Sequence, residues 1–160
     1  KVERSFFLPQ EPYLCLGTLR ENVEYPGAPR ELGSLPDADR HEAVRAALGA
    51  VNLYHLVKRH GLDVEIDFEG VLSGGEKQRL SFARLLLRSV PLHMVVLDES
   101  TSALDERHEE LAYELLAQRA QSWVSVGHRA ALAKFHTHRL RLERHGTSGG
   151  RGTFQRIDHG

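Results

Sequence analysis

Ser73, Gly74, Gly75 and Glu76 open the stretch "LSGGEKQRLSFARLLL", where a side-chain oxygen and two glycines stand immediately before a run with helical apolar spacing. Such a start lets backbone N–H groups approach an anion closely, aided by the positive end of the helix macrodipole. The same residues have the S-x-x-E spacing of a capping box, which starts a helix without any ligand. Further along, "MVVLDES" delivers Asp98 and Glu99 to the carboxyl end of a strand, where open α/β sheets hold their ligands. Asp98 can hold a hard cation such as Mg2+, directly or through water, and Glu99 can accept a proton from an attacking water. Equally, two carboxylates there can simply favour the start of the next helix. His128 in "SVGHR" follows another apolar run and can donate to a developing phosphate charge, although the chain has 10 histidines and such residues are more often on the surface. A strand would put His136 and His138 of "HTH" on one face, but no third ligand accompanies them, which argues against a metal centre.

The elements that must position these groups follow from pattern. "SFFL" at Ser5–Leu8 is a strand stopped by Pro9, and "TLREN" from Thr18 is a short helix after a turn at Gly17. Pro26, Pro29 and Pro36 are enough to exclude regular structure between Tyr25 and Pro36. Asp37 is placed to cap a helix that carries Ala43, Ala47 and Leu48 on one face, and a second helical piece runs from Asn52 to His60, stopped by Gly61. Leu80, Ala83 and Leu87 make the next helix amphipathic, ending before Pro91. "HMVVLDE" and "WVSVG" read as strands buried on both faces, with a helix over His108, Leu111, Ala112, Leu115 and Leu116 between them. That alternation is the rhythm of a parallel α/β sheet. The tail reads as two strands around a Gly-rich loop.

Length and charge bound the rest. The chain has 160 residues with 41% hydrophobic and 27% charged, which suits one globular domain. A net charge of -1 provides no overall basic field for nucleic acid or an anionic membrane surface. The single cysteine, Cys15, excludes an internal disulfide framework. No apolar run approaches the roughly 20 residues of a membrane helix. Lys1 in place of an initiating Met, with no signal pattern after it, reads as an excerpt or a processed piece.

The joint order decides between the readings: a glutamine after a short strand, a Gly-rich helix start, a strand ending in Asp-Glu, "SALD", then a histidine after the next strand. In that order "LSGGEKQRLSFARLLL" resembles the signature motif of ABC-type ATPases, "MVVLDES" their Walker B strand, "SALD" at Ser102 to Asp105 their D-loop, and "SVGHR" their switch histidine. "FFLPQEPYLCLGTLRENVEYP" is similar to the Q-loop region of exporter-type ABC transporters, with Gln10 as its glutamine. That segment and the tail "FHTHRLRLERHG" resemble half-transporters of the peroxisomal fatty-acyl-CoA type and their bacterial relatives. Ser100, where the family commonly has Ala, and Gly127 before the histidine are small departures.

The resemblance implies an α/β fold, part of a P-loop NTPase (ABC ATPase) domain over 1–160. A helical signature subdomain with the Q-loop would span about 10–90, and the Walker B, D-loop and switch-histidine part of the core, with C-terminal strands, about 91–160. It implies ATP and Mg2+, and a head-to-tail dimer of nucleotide-binding domains coupled to a transmembrane permease domain at the cytoplasmic face of a membrane, with no nucleic acid. Glu99 would be the general base, Asp98 and Gln10 would serve Mg2+ and water, and His128 would touch the γ-phosphate. Ser73, Gly74 and Gly75 would grip nucleotide bound on the partner, and Asp105 would cross the dimer interface. The implied activity is ATP hydrolysis coupled to export.

One part is missing from the pattern. None of Lys1, Lys58, Lys77 and Lys134 is followed by Ser or Thr, so the G-x-x-x-x-G-K-[ST] loop of Walker A is absent from these residues. The expectation is that the chain alone neither binds nor hydrolyses ATP usefully and leaves an apolar sheet edge uncovered. Soluble ABC ATPases of the chromosome or repair type also use an "LSGG" helix, but the exporter-like segment after Gln10 and the lack of coiled-coil heptads favour the exporter. A third reading has the chain merely lend its signature helix to a complete partner.

Overall fold

The structure, a computed structural model, describes residues 5–88, 91–145 and 149–158, and the chain divides into two units, Lys1–Val126 and Gly127–Gly160. In the first unit β1 (Ser5–Leu8) is followed by the two-residue strand β2 (Gly17–Thr18), α1 (Leu19–Glu24), the single turn α2 (Arg30–Gly33), α3 (Asp37–Ala50) and α4 (Tyr54–His60). Then come β3 (Glu65–Ile66), the single turn α5 (Phe68–Val71), α6 (Gly74–Leu86), β4 (Met94–Asp98), α7 (Glu106–Arg119) and β5 (Trp123–Val126).

The main sheet has the order β1-β4-β5 with both pairings parallel, the α/β arrangement expected from the strand-helix rhythm. Register puts Leu8 opposite Leu97 and Asp98 opposite Val126, so the ends of all three strands open on one edge. Because side chains alternate along a strand, one face carries Leu8, Val95 and Leu97, all buried, and packs under the helices; the Tyr113 hydroxyl of α7 meets Ser125 Oγ of β5 at 2.8 Å. The other face carries Phe7, Met94, Val124 and Val126, which are 57%, 44%, 50% and 54% exposed. The expectation that "HMVVLDE" and "WVSVG" are buried on both faces is therefore corrected. Each is covered on one side only, since α6 and α7 lie on the same side of the sheet.

The remaining helices build a core around Leu19, Val23, Val44, Leu48, Leu53, Leu56, Phe68, Leu80 and Phe82. Burying each such side chain stabilises the fold by roughly 1.5 to 3 kcal/mol. Three local expectations change. The cap of α3 is Pro36 without a side-chain bond, and Asp37 lies inside the first turn, where its charge meets the helix dipole. The stretch between Tyr25 and Pro36 is not wholly irregular, because Pro29, whose ring suits a helix start, accepts from Gly33 N at 2.7 Å and opens α2. Finally, α4 begins at Tyr54 and not Asn52: Asn52 sits at φ 58, and that left-handed residue separates the two helices.

The second unit holds a 3-10 helix at Ala130–Phe135 and the antiparallel hairpin β6 (His138–His145) and β7 (Gly149–Arg156), paired from His138↔Arg156 to His145↔Gly149. These are the two strands read in the tail; the loop tip at 146–148 lies outside the described residues. His136 belongs to the end of the 3-10 helix, where its Nδ1 faces Leu132 O at 2.8 Å, so it does not share a strand face with His138, which stacks on Phe154. Among the described residues no helix is long and apolar enough to cross a membrane.

Candidate functional site

The start of α6 forms the reciprocal cap that its spacing permits. Ser73 Oγ accepts from Glu76 N at 3.3 Å, while Glu76 Oε2 accepts from Ser73 N at 2.9 Å and Ser73 Oγ at 2.8 Å. Ser73 and Gly74 are exposed and Gly75 half-buried. The glycines have a second reason to be there: a Cβ on Gly74 would lie 3.5 Å from Ala103 Cβ, and one on Gly75 would lie 3.0 Å from Ala103 O. The helix start is thus pressed against the "SALD" turn, and any larger residue at Gly75 would force the two apart.

Glu76 also meets His55 Nε2 at 2.9 Å. Partial burial works to raise its pKa, but the Ser73 and His55 hydrogen bonds outweigh it and hold the carboxyl below the usual carboxylate range. A group depressed on folding contributes stability above its unfolded pKa and loses it as pH falls through the folded value. Acidification through the carboxylate range is therefore expected to lower the urea unfolding midpoint, and Glu76→Gln, which cannot titrate, should flatten that decline. Equal slopes for the two proteins would remove Glu76 from the groups responsible.

At the open edge of the sheet, Asp98 ends β4 exposed, on the uncovered face with Val126. The next residue, Glu99, turns sharply at φ 46. A left-handed backbone at a non-glycine costs on the order of 1 to 3 kcal/mol and persists where neighbours over-determine it. Here Glu99 N donates to Val126 O at 3.0 Å, and Glu99 O accepts from Ser102 N at 3.0 Å and Gln78 Nε2 at 3.3 Å. Gln10, two residues past β1, donates from Nε2 to Glu99 Oε2 at 3.0 Å across 89 residues of sequence. The parallel pairing of β1 with β4 is what brings these two side chains together.

Past Glu99 the chain turns into α7. Ser100 is buried with its hydroxyl unpartnered, which suits a pocket that would hold Ala as well. Thr101 Oγ1 donates to buried Glu109 at 2.8 Å. Asp105 caps α7, accepting from His108 N at 2.8 Å and facing His108 Nδ1 at 2.8 and 2.9 Å; the backbone donor first, then the ring, hold its carboxyl low. Arg79 of α6 joins from the other side, donating to Asn52 O at 2.8 Å and meeting His108 Nε2 at 3.4 Å.

Sequence reasoning missed three polar residues on α6: Gln78, Arg79 and Arg84. Arg84 donates to Asn22 O at 2.8 Å and Tyr13 O at 2.7 Å, and its guanidinium lies 5.1 Å from the centre of the Tyr25 ring. Burial pushes its pKa down to about 10. Gln78, Ser81 and Arg84 recur at three-residue spacing and all three are buried, but Glu76, Lys77 and Arg79 are interleaved with them, so the spacing alone does not single them out.

The chain is 43% identical over 156 residues to the human lysosomal cobalamin transporter ABCD4, covering 94% of this chain and 24% of that protein. It is 39% identical over 156 residues to the ABC transporter D family member 2, chloroplastic, of Arabidopsis thaliana, covering 85% and 22%. A Haemophilus influenzae protein named as an uncharacterized ABC transporter ATP-binding protein is 40% identical over 141 residues, covering 87% and 22%. The structure of a bacterial Atm1-family ABC exporter with ATP bound matches at a TM-score of 0.64 and 27% identity, over 86% of this chain and 23% of that one. The chain belongs to the ABC transporter ATP-binding proteins. No family model matches it.

This ABC chain spans between 22% and 24% of the length of those three relatives. Within its first unit the fold gathers Gln10, Asp98 and Glu99 at one sheet edge, and joins Ser73, Gly74 and Gly75 to the turn that leads to Asp105. His128 opens the second unit, exposed, after Gly127. A Cβ on that glycine would lie 2.5 Å from Leu132 Cδ1, so its small size has a local packing reason.

Proposed function

We propose that this chain is the signature, Walker B and switch portion of an exporter ATPase, acting on ATP that a P-loop from another polypeptide segment docks. The observation that carries the reading is the Gln10–Glu99 hydrogen bond at the carboxyl edge of a parallel sheet. It holds the carboxylate at the mouth of the site. Donor chemistry fits a hard divalent ion: the Asp98 carboxylate is exposed beside it, and the Gln10 amide, donating through nitrogen, keeps its oxygen turned to other use. Mg2+ bound there would neutralise phosphate charge.

In this reading Glu99 takes the proton of the attacking water, Asp98 and Gln10 orient water and cation, and His128 donates to the γ-phosphate. The exposed helix start at Ser73, Gly74 and Gly75 faces nucleotide on a second nucleotide-binding domain, and Asp105 lies at that interface. Tyr13 and Leu16, 59% and 85% exposed in the segment after Gln10, are suited to contact a transmembrane permease domain at the cytoplasmic membrane face. Phosphoryl transfer to water depends on positioning and electrostatics, so these residues act only once the phosphates are cradled.

The missing lysine loop sets the magnitude of the test. Losing about four charge-assisted hydrogen bonds of roughly 1.5 to 3 kcal/mol each weakens binding by about 6 kcal/mol or more. At about 1.4 kcal/mol per decade, a micromolar site becomes one of roughly 10 mM or weaker. Calorimetric titration of the chain alone with Mg-ATP is expected to show no submillimolar binding, and addition of a P-loop segment should restore it. Submillimolar binding by the chain alone would sink the proposal that the phosphates are held elsewhere.

A further inference from the structure

Gln78 is 3% exposed, on the second turn of α6, and every bond of its side-chain amide leaves that helix. Its Oε1 accepts from Ala103 N at 2.9 Å, and its Nε2 serves Ser102 Oγ at 3.1 Å and the backbone carbonyls of Gln10 and Glu99 at 3.3 Å each. One planar group therefore ties the helix that carries the glycine start to three other places: the second residue past β1, the residue after β4, and the turn before α7. An amide offers donors and an acceptor in that arrangement; an ionised carboxylate has no donor, and a thioether has no donor and only a weak acceptor.

The contacts close on themselves. Gln78 holds the carbonyl of Gln10, whose own side chain bonds the Glu99 carboxylate, and it holds the carbonyl of Glu99, the residue kept at φ 46. On the other side it holds Ala103 N, while Ala103 O is the atom pressed against Gly75. These contacts connect the helix start to the backbone that aims Glu99.

We propose that Gln78 is a positioning residue for Glu99, fixing the carboxylate to the helix start so that the two halves of the site move as one body. The proposal rests on the functional reading above. It acts through Glu99 and touches no nucleotide, so its loss should reach turnover and not binding.

The test uses the intact transporter that carries this chain, with steady-state ATPase kinetics. Gln78→Met, of similar size, is expected to lower kcat roughly tenfold while KM for ATP stays within about twofold. In a Glu99→Gln background the same substitution should produce no further loss, because what it positions is already gone; a purely structural role would lower activity in both backgrounds. Ser102→Ala, at an exposed position, should lower kcat by a smaller factor and serves if Gln78→Met does not fold. An unchanged kcat in a folded Gln78→Met, an unchanged kcat in Ser102→Ala, or a loss confined to KM, overturns the proposal. If Glu99→Gln itself turns over normally, the functional reading fails instead, so the two failures are distinguishable.

Discussion

Glu99→Gln is expected to lower ATP turnover in the assembled transporter by roughly 10²- to 10⁴-fold while leaving Mg-ATP affinity nearly unchanged. The substitution keeps the side-chain shape at the end of β4 but removes the carboxylate assigned to take a proton from water. The Gln10 amide can still bond the new side chain through its oxygen, so the local geometry survives and the loss is chemical. Phosphate release and equilibrium nucleotide binding, measured on the same preparation, separate the two. A turnover within about threefold of the parent would remove Glu99 from the role of base and transfer it to some other carboxylate.

The second large effect is on stability. Arg84→Ala is expected to destabilise the chain by about 3 kcal/mol, because it deletes two hydrogen bonds from a charged donor at roughly 1.5 kcal/mol or more each and strands the carbonyls of Tyr13 and Asn22. Burial acts in the opposite direction. A guanidinium whose pKa is pushed down to about 10 is costly to desolvate, so Arg84→Met, which fills the space without a charge, should be milder than Ala. Arg84→Lys should fall well short of the parent, since an ammonium cannot fork onto two carbonyls and lie over Tyr25 at once. Urea unfolding of the three variants orders them; a Lys variant as stable as the parent would show that charge alone, and not the fork, holds the segment after Gln10 to α6.

These two substitutions lie at opposite ends of one connected structure. Arg84 anchors the backbone of the segment after Gln10, Gln10 bonds Glu99, and Gln78 holds both of their carbonyls. The helix that begins at Ser73 is therefore the frame on which the sheet-edge carboxylate is hung. Gln78 and Arg84 are buried there because they bind backbone of other segments, which is how this helix can carry a buried amide and a buried guanidinium.

Local chemistry was legible in the residues. The S-x-x-E spacing set the cap of α6, the left-handed Gly61 ended α4 at φ 77, and the apolar runs at β1, β4 and β5 formed strands. Each depends on neighbours a few positions away, so periodicity and turn chemistry suffice to find it. The order of motifs was equally a property of the string, and it led to the ABC family before any geometry.

Tertiary structure alone decided the rest, for a physical reason: a pairing across 89 residues, such as Gln10 with Glu99, leaves no trace in local pattern. Burial likewise belongs to the assembled sheet. "MVVLD" and "WVSV" carry apolar residues on both faces, yet only the face under α6 and α7 is covered, which no property of the strands themselves could specify. Gln78 was invisible for the same cause. An amide in a helix looks like surface until the loops that bring their carbonyls and N–H groups to it are folded into place.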